Sequence, residues 1–241
     1  MKKLTREEIK YIDNYLIKSK VKYWDVRVEL LDHIASAVEE KIEKEGISFN
    51  EALLEVHQSF GNSTEVYGIY HGKLLKEGLY ADNNGFKKFE RQKQRSIGRK
   101  LRKAHWQELK NLMFTPKFLL EFTAFGIISY YGFNFYPKVS STLVLGLLML
   151  PLFFSALHSI KDKVSKRSLN ITMSSGIIML AWSLYNMVFQ LFVMLNKDQD
   201  NKPYYILFIT AILLYPIMRS STNTYFKYYN KYKNIFSKLT N

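Results

Sequence analysis

Residues 171–195 read ITMSSGIIMLAWSLYNMVFQLFVML, a run without one charged side chain. A helix rises about 1.5 Å per residue, so about 20 apolar residues cross the hydrocarbon core of a bilayer. This run is long enough on its own, and it sets the solvent in which half of the chain folds. Working outward from it, residues 118–136, 141–158 and 204–218 are also apolar. The first two fit a span. The last is short unless Pro203 or the residues after Arg219 extend it. Backbone polar groups find no water in hydrocarbon, so these segments are predicted as helices, four spans over residues 118–218. Residues 1–117 are rich in Lys, Arg and Glu by contrast, a step that the mean hydropathy of −0.16 conceals.

The flanking charges predict an orientation. Arg99, Lys100, Arg102, Lys103, Lys110 and Lys117 precede the first span. Lys161, Lys163, Lys166 and Arg167 lie between the second and third. Arg219, Lys227, Lys231, Lys233 and Lys238 follow the fourth, whereas the two intervening loops hold only Lys138, and Lys197 with Lys202. The Lys/Arg bias alternates in phase with the spans, which predicts both termini in the cytoplasm. Tyr130, Tyr131, Tyr136, Tyr204 and Tyr205 read as the outer aromatic belt. Met1-Lys2-Lys3 opens like a signal peptide but runs into Leu4-Thr5-Arg6-Glu7-Glu8, so no signal peptide is expected.

The N-terminal part reads as a small cytoplasmic helical bundle over residues 1–80. Thr5 and Glu8 form a capping box for a helix reaching about Lys20, with Ile9, Ile12 and Leu16 inward. A second helix from Trp24 to Glu45 carries Val28, Leu31, Ile34, Val38 and Ile42 at three- and four-residue spacing and stops at Gly46. Ser48 and Glu51 box a third, with Leu53, Leu54 and Val56 inward, ending at Gly61. A fourth is expected from Asn62 or Ser63 to about Lys76, with Val66, Ile69 and Leu74 inward. A basic amphipathic linker, residues 81–117, and a basic-aromatic cytoplasmic tail, residues 219–241, complete the chain.

Within the bundle, Glu29-Leu30-Leu31-Asp32-His33, then Gly46-Ile47-Ser48-Phe49-Asn50-Glu51-Ala52 and Ser59-Phe60-Gly61-Asn62, form a pattern. It resembles the helix-turn-helix-associated alpha-helical signalling domain and the related prefix domains of bacterial membrane proteins. The resemblance implies a cytoplasmic sensing or protein-interaction domain on membrane spans, often working with PadR-like transcription regulators. The leading helix from Thr5 and the long basic linker depart from that pattern.

Glu29, Asp32 and His33 are the one acid–histidine cluster, three and four residues apart on a helix. Such a set could hold a divalent ion, yet a polar face with paired charges is the simpler reading. The three are candidate partner-binding residues. Asn186 and Gln190, one turn apart in the third span, form a polar face suited to interhelical hydrogen bonds or to a substrate path. Glu121, near the first span's start, is expected to snorkel to the interface beside Lys117. Arg99, Lys100, Arg102 and Lys103, and Lys227 with Lys231, are candidate lipid-headgroup contacts among interleaved apolar residues. The same residues could bind nucleic acid or the ribosome through phosphate contacts.

There is no cysteine, which removes disulfides, thiolate zinc sites and thiol nucleophiles. Gly-rich phosphate loops, His-Glu-x-x-His and Gly-x-Ser-x-Gly are missing from the sequence too, so no enzyme, cofactor or metal is expected. The expectation is a non-enzymatic accessory or signalling protein of the bacterial inner membrane, with membrane lipids and a protein as partners. A small transporter component, or a tethered binder of nucleic acid or ribosomes, is the alternative. Single introduced cysteines test the topology with a membrane-impermeant thiol reagent. Asp198→Cys or Asp200→Cys should label from outside intact cells, and labelling at Ser165→Cys or Ser237→Cys would contradict the orientation.

Overall fold

The computed structural model describes residues 3–63, 82–162, 167–197 and 203–240. Regular structure among them is helical throughout, in the order α1 (Arg6–Lys18), α2 (Trp24–Glu45), α3 (Phe49–Ser59), α4 (Asn84–Met113), α5 (Pro116–Phe135), α6 (Pro137–Lys161), α7 (Leu169–Leu195) and α8 (Tyr205–Thr240). The helix expected after Asn62 or Ser63 lies outside the described residues. Two compact units divide the chain. The first comprises Met1–Ser96 with Arg167–Leu169, and the second Ile97–Lys166 with Asn170–Asn241.

The first unit builds its helices from local signals. Thr5 and Ser48 accept from the backbone N–H groups of Glu8 and Glu51, whose carboxylates reach back to the cap residues, so both capping boxes form. Gly46 closes α2 with φ 66°, a left-handed geometry that costs glycine nothing. At the end of α1 that geometry falls to Lys20, at φ 62°, and the helix stops at Lys18. The core gathers Ile12, Leu16, Leu30, Ile34, Val38 and Leu53, each at most 1% exposed. The buried line of α2 runs through Trp24, Val26, Leu30, Ile34 and Val38. Val28, expected inside, is 41% exposed, and Leu31 is only half-buried. The inward face is rotated toward Leu30 because α1 and α3 both pack on that side. Ile9 is exposed for the same reason at the edge of α1.

Gly85 joins α4 to this unit. A Cβ there would lie 2.1 Å from the Phe60 carbonyl oxygen, and its N–H donates to Asn62 Oδ1 at 2.8 Å. Only a residue without a side chain admits so close an approach. Phe86 follows, 3% exposed, edge-on to Tyr15 and His57. The stretch Arg167–Leu169 is held at the start of α2. Trp24 N–H donates to the Arg167 carbonyl at 2.8 Å, while Asp25 accepts from Ser168 Oγ and from Leu169 N–H, both at 2.9 Å. A carboxylate at that position caps a helix N-terminus from another part of the chain.

The second unit inverts the solvent rule. Its helices meet along Val144, Leu148, Ile178, Tyr185, Ala211 and Leu214, yet large apolar side chains also point outward on every helix. Leu120, Leu143, Met194 and Leu213 are each at least 65% exposed. Apolar exposure on that scale marks a surface not made for water. Three segments are long and apolar enough to cross a membrane, Pro137–His158, Leu169–Leu195 and Tyr205–Leu239. A fourth appears when α4 and α5, bent by 78° at their break, are taken together. The short last span is lengthened by residues past Arg219, since α8 continues unbroken to Thr240, and the expected tail is the end of that helix. Glu121 takes other partners than Lys117: Tyr215 Oη donates to it at 2.5 Å and Arg219 Nε lies 3.2 Å away.

Substitution of Leu30 or Ile34 by Ala should cost about 2–5 kcal/mol by denaturant unfolding of the intact protein. Val28→Ala should cost under about 0.5 kcal/mol, as surface changes do. Equal losses at Val28 and Leu30 would contradict this packing of α2.

Candidate functional sites

On α2 the acid–histidine residues separate. Glu29 pairs with Lys93 of α4, and His33 meets Phe89 edge-on at 6.0 Å. Asp32 and His33 are exposed, and Glu29 is half-buried. The chain itself therefore occupies Glu29, while Asp32 and the outer edge of His33 remain presented to solvent. Among the described residues no group of three His, Cys, Asp or Glu side chains is placed to hold a metal ion.

Five basic residues of α4 share one side of the helix, whereas Lys93 and the exposed Lys100 lie off it. Arg95, Arg99, Arg102, Lys103 and Lys110 recur at three, four, seven and eight residues and are all exposed, with Trp106 among them at 57% exposed. The opposite face is packed away. Leu101 and His105 are buried, His105 Nδ1 is 3.2 Å from Ser220 Oγ, and Asn223 Nδ2 donates to Glu108 Oε1 at 3.3 Å. Fixing one face on α8 leaves a largely cationic face exposed, with Trp106 on it. Lys227 and Lys231 of α8 are likewise exposed.

Asn186 and Gln190 project from the outer face of α7, beside Ser183 and Met187, all exposed. Neither amide has a hydrogen-bond partner among the described residues. Ser183 turns its hydroxyl to the Met179 carbonyl at 2.8 Å.

One cluster has no counterpart in the sequence reading. The end of α6 and the last third of α8 line an open cavity of about 470 Å³, bounded by His158, Lys161, Asp162, Tyr229 and Lys233, with Phe154 and Leu157. Tyr229 Oη donates to Asp162 Oδ2 at 2.8 Å, and Lys233 Nζ lies 4.0 Å from the same oxygen. His158 is pinned by its Nδ1 contact with the Phe154 carbonyl, 2.7 Å, and by edge-on packing against Tyr229 at 5.0 Å. These residues are far apart in sequence and meet only because α8 continues past Arg219. A charged tail without known helical phase gives no signal for them.

No protein-family model, curated protein or solved structure matches the chain.

The buried titratable group of the first unit is His57, 1% exposed, with Tyr15 Oη 2.5 Å from its Nδ1. Burial pushes its pKa below the ordinary 6.5, outweighing the upward pulls of the Ser63 backbone and Asp82. The unfolded chain therefore binds the proton first as acid is added. The stability tied to neutral His57 is complete above pH 6.5 and is lost as the pH falls through that value toward the lower folded pKa. Thermal melting of the intact protein should show this acid limb, and His57→Gln, which keeps an acceptor for Tyr15, should flatten it. Identical slopes in the two proteins would contradict the assignment.

Proposed function

We propose that this chain is a non-enzymatic accessory or signalling protein of the bacterial cytoplasmic membrane, whose N-terminal helical unit binds a protein partner. Its apolar helices are the anchor, and both termini face the cytoplasm. One observation carries the reading: a unit with an apolar core and a charged exterior shares a chain with helices that turn apolar side chains outward. A unit suited to water, tied to a unit suited to lipid, is an arrangement for presenting a binding surface at a membrane. The alternating Lys/Arg bias supports the orientation. The resemblance of α2, α3 and their turns to helix-turn-helix-associated signalling domains supports the partner, and Asp32 and His33 are the residues free to meet it.

The cationic face of α4 supports a second contact, with anionic lipid. The 78° bend into α5 suits a helix lying along the leaflet before the chain turns inward. Arg99, Lys100, Arg102 and Lys103 would each contribute about 1 kcal/mol beside a charged leaflet. The same face, with Trp106 exposed, also favours a second reading, a tethered binder of ribosomal or other nucleic acid.

Photo-crosslinking side chains placed at Asp32, His33 or Arg102 of the intact protein in its membrane separate these readings. Asp32 or His33 should yield one discrete protein adduct, and Arg102 should yield lipid. RNA or ribosomal proteins at Arg102 would establish the second reading, and no protein adduct at either Asp32 or His33 would remove the first.

A further inference from the structure

The cavity between α6 and α8 combines two lysines with an apolar wall. Phe154 and Leu157 precede Lys161 and Asp162 by one to two turns of the same helix, so the lining passes from apolar to charged along α6. The exposed surface of α6 changes at the same level, from Phe153 and Ile160, 60% and 67% exposed, to the charged pair that follows. On α8 this level carries Tyr225, Tyr228, Tyr229 and Tyr232, the residue type that gathers at a membrane–water interface. The cavity thus sits where a lipid headgroup would be.

Charge and size select the headgroup. Lys161 and Lys233 outnumber Asp162, and Asp162 is already engaged by the Tyr229 hydroxyl and approached by Lys233. Lys161 is exposed and makes no hydrogen bond or ion pair among the described residues. A volume of about 470 Å³ lies within the range, roughly 300–1,000 Å³, in which small ligands are held. Basic pockets between membrane helices suit phosphate-bearing headgroups, because an anion there meets cations in a medium that screens them poorly.

We propose that this cavity binds an anionic phospholipid, its phosphate held by Lys161 and Lys233 and its glycerol backbone and first acyl carbons against Phe154 and Leu157. The assignment rests on the reading that these helices cross a membrane. It differs from a general attraction to the leaflet, because the apolar wall and the paired lysines line one open cavity. A free phosphate ester could satisfy the lysines but would leave that wall unused.

The test is retention of phosphatidylglycerol by the detergent-solubilised protein, counted by native mass spectrometry. Phosphatidylcholine is the neutral comparison and glycerol phosphate the soluble one. The intact chain should keep phosphatidylglycerol in preference to both. Lys161→Gln with Lys233→Gln should weaken that retention by at least about tenfold, at about 1 kcal/mol for each lysine. Lys161→Gln alone disturbs no internal contact, so its several-fold loss does not depend on how the double variant folds. Lys10→Gln with Lys18→Gln, exposed residues of α1 outside the cavity, should leave the bound lipid in place. Unchanged retention in the cavity variants, equal loss from the outer pair, or glycerol phosphate bound as tightly as the lipid would each overturn the proposal. Resistance to alkaline extraction, measured on the same proteins, reports membrane integration separately. A chain that extracts freely fails the spanning reading, whereas one that stays integrated without lipid preference fails only the site.

Discussion

A backbone in hydrocarbon has to satisfy its own hydrogen bonds, and the second unit is arranged around that requirement. Its long segments are helices because each N–H can then reach a carbonyl of the same segment. Hydroxyl side chains follow the same rule: Ser141, Thr142, Thr210 and Ser221 all donate to the carbonyl four residues earlier. Their polarity is absorbed locally, and they ask nothing of neighbouring helices. Pro151 and Pro216 break the pattern inside α6 and α8. Each removes one donor, leaving a carbonyl one turn earlier without its usual partner.

The first unit has an apolar core and a charged exterior instead, and the same residue types behave differently there. Leucine at position 30 is sealed in a core, whereas leucine at position 120 is 74% exposed. Charges in the first unit sit outside in short-range pairs such as Lys44 with Glu40 and Lys41 with Glu45. Such exposed pairs contribute little to stability, so the unit relies on its small apolar core and helix caps. The most demanding single position is Gly85, where the approach of the Phe60 carbonyl leaves no room for a side chain.

Much of this is legible in the sequence. Capping boxes and the Gly46 stop depend on residues three or four apart, and the apolar run from Ile171 needs no long-range information, so both appear where the sequence predicts them. Periodicity alone could not decide which side of α2 faces inward, because Val28 and Leu30 are both apolar and the choice depends on where α1 and α3 lie. Nothing local marks Gly85, because its need for glycine comes from the Phe60 carbonyl lying beside it. Sequence proximity pairs Glu121 with Lys117, but one helical crossing brings Arg219 and Tyr215 to it. The lysines of the cavity read in the sequence only as flanking charge, Lys161 after the second span and Lys233 after the fourth. Local rules identify helices, and pairings between helices need their packing.

The length of α8 has a mechanical meaning. Its 36 residues make a rod of about 54 Å, far longer than the roughly 30 Å of a hydrocarbon core. Pro216 divides the rod and supplies a hinge, since a proline helix lacks one of the bonds that keep it straight. Lys233 lies about 25 Å beyond that hinge at helical rise, so a 10° change of bend would swing it by about 4 Å. The bond from Tyr229 to Asp162 acts against such a swing as a latch. The length of α8 beyond Pro216 multiplies any bend at the proline, and Asn223 and Tyr229, bonded to Glu108 and Asp162, hold that length in place.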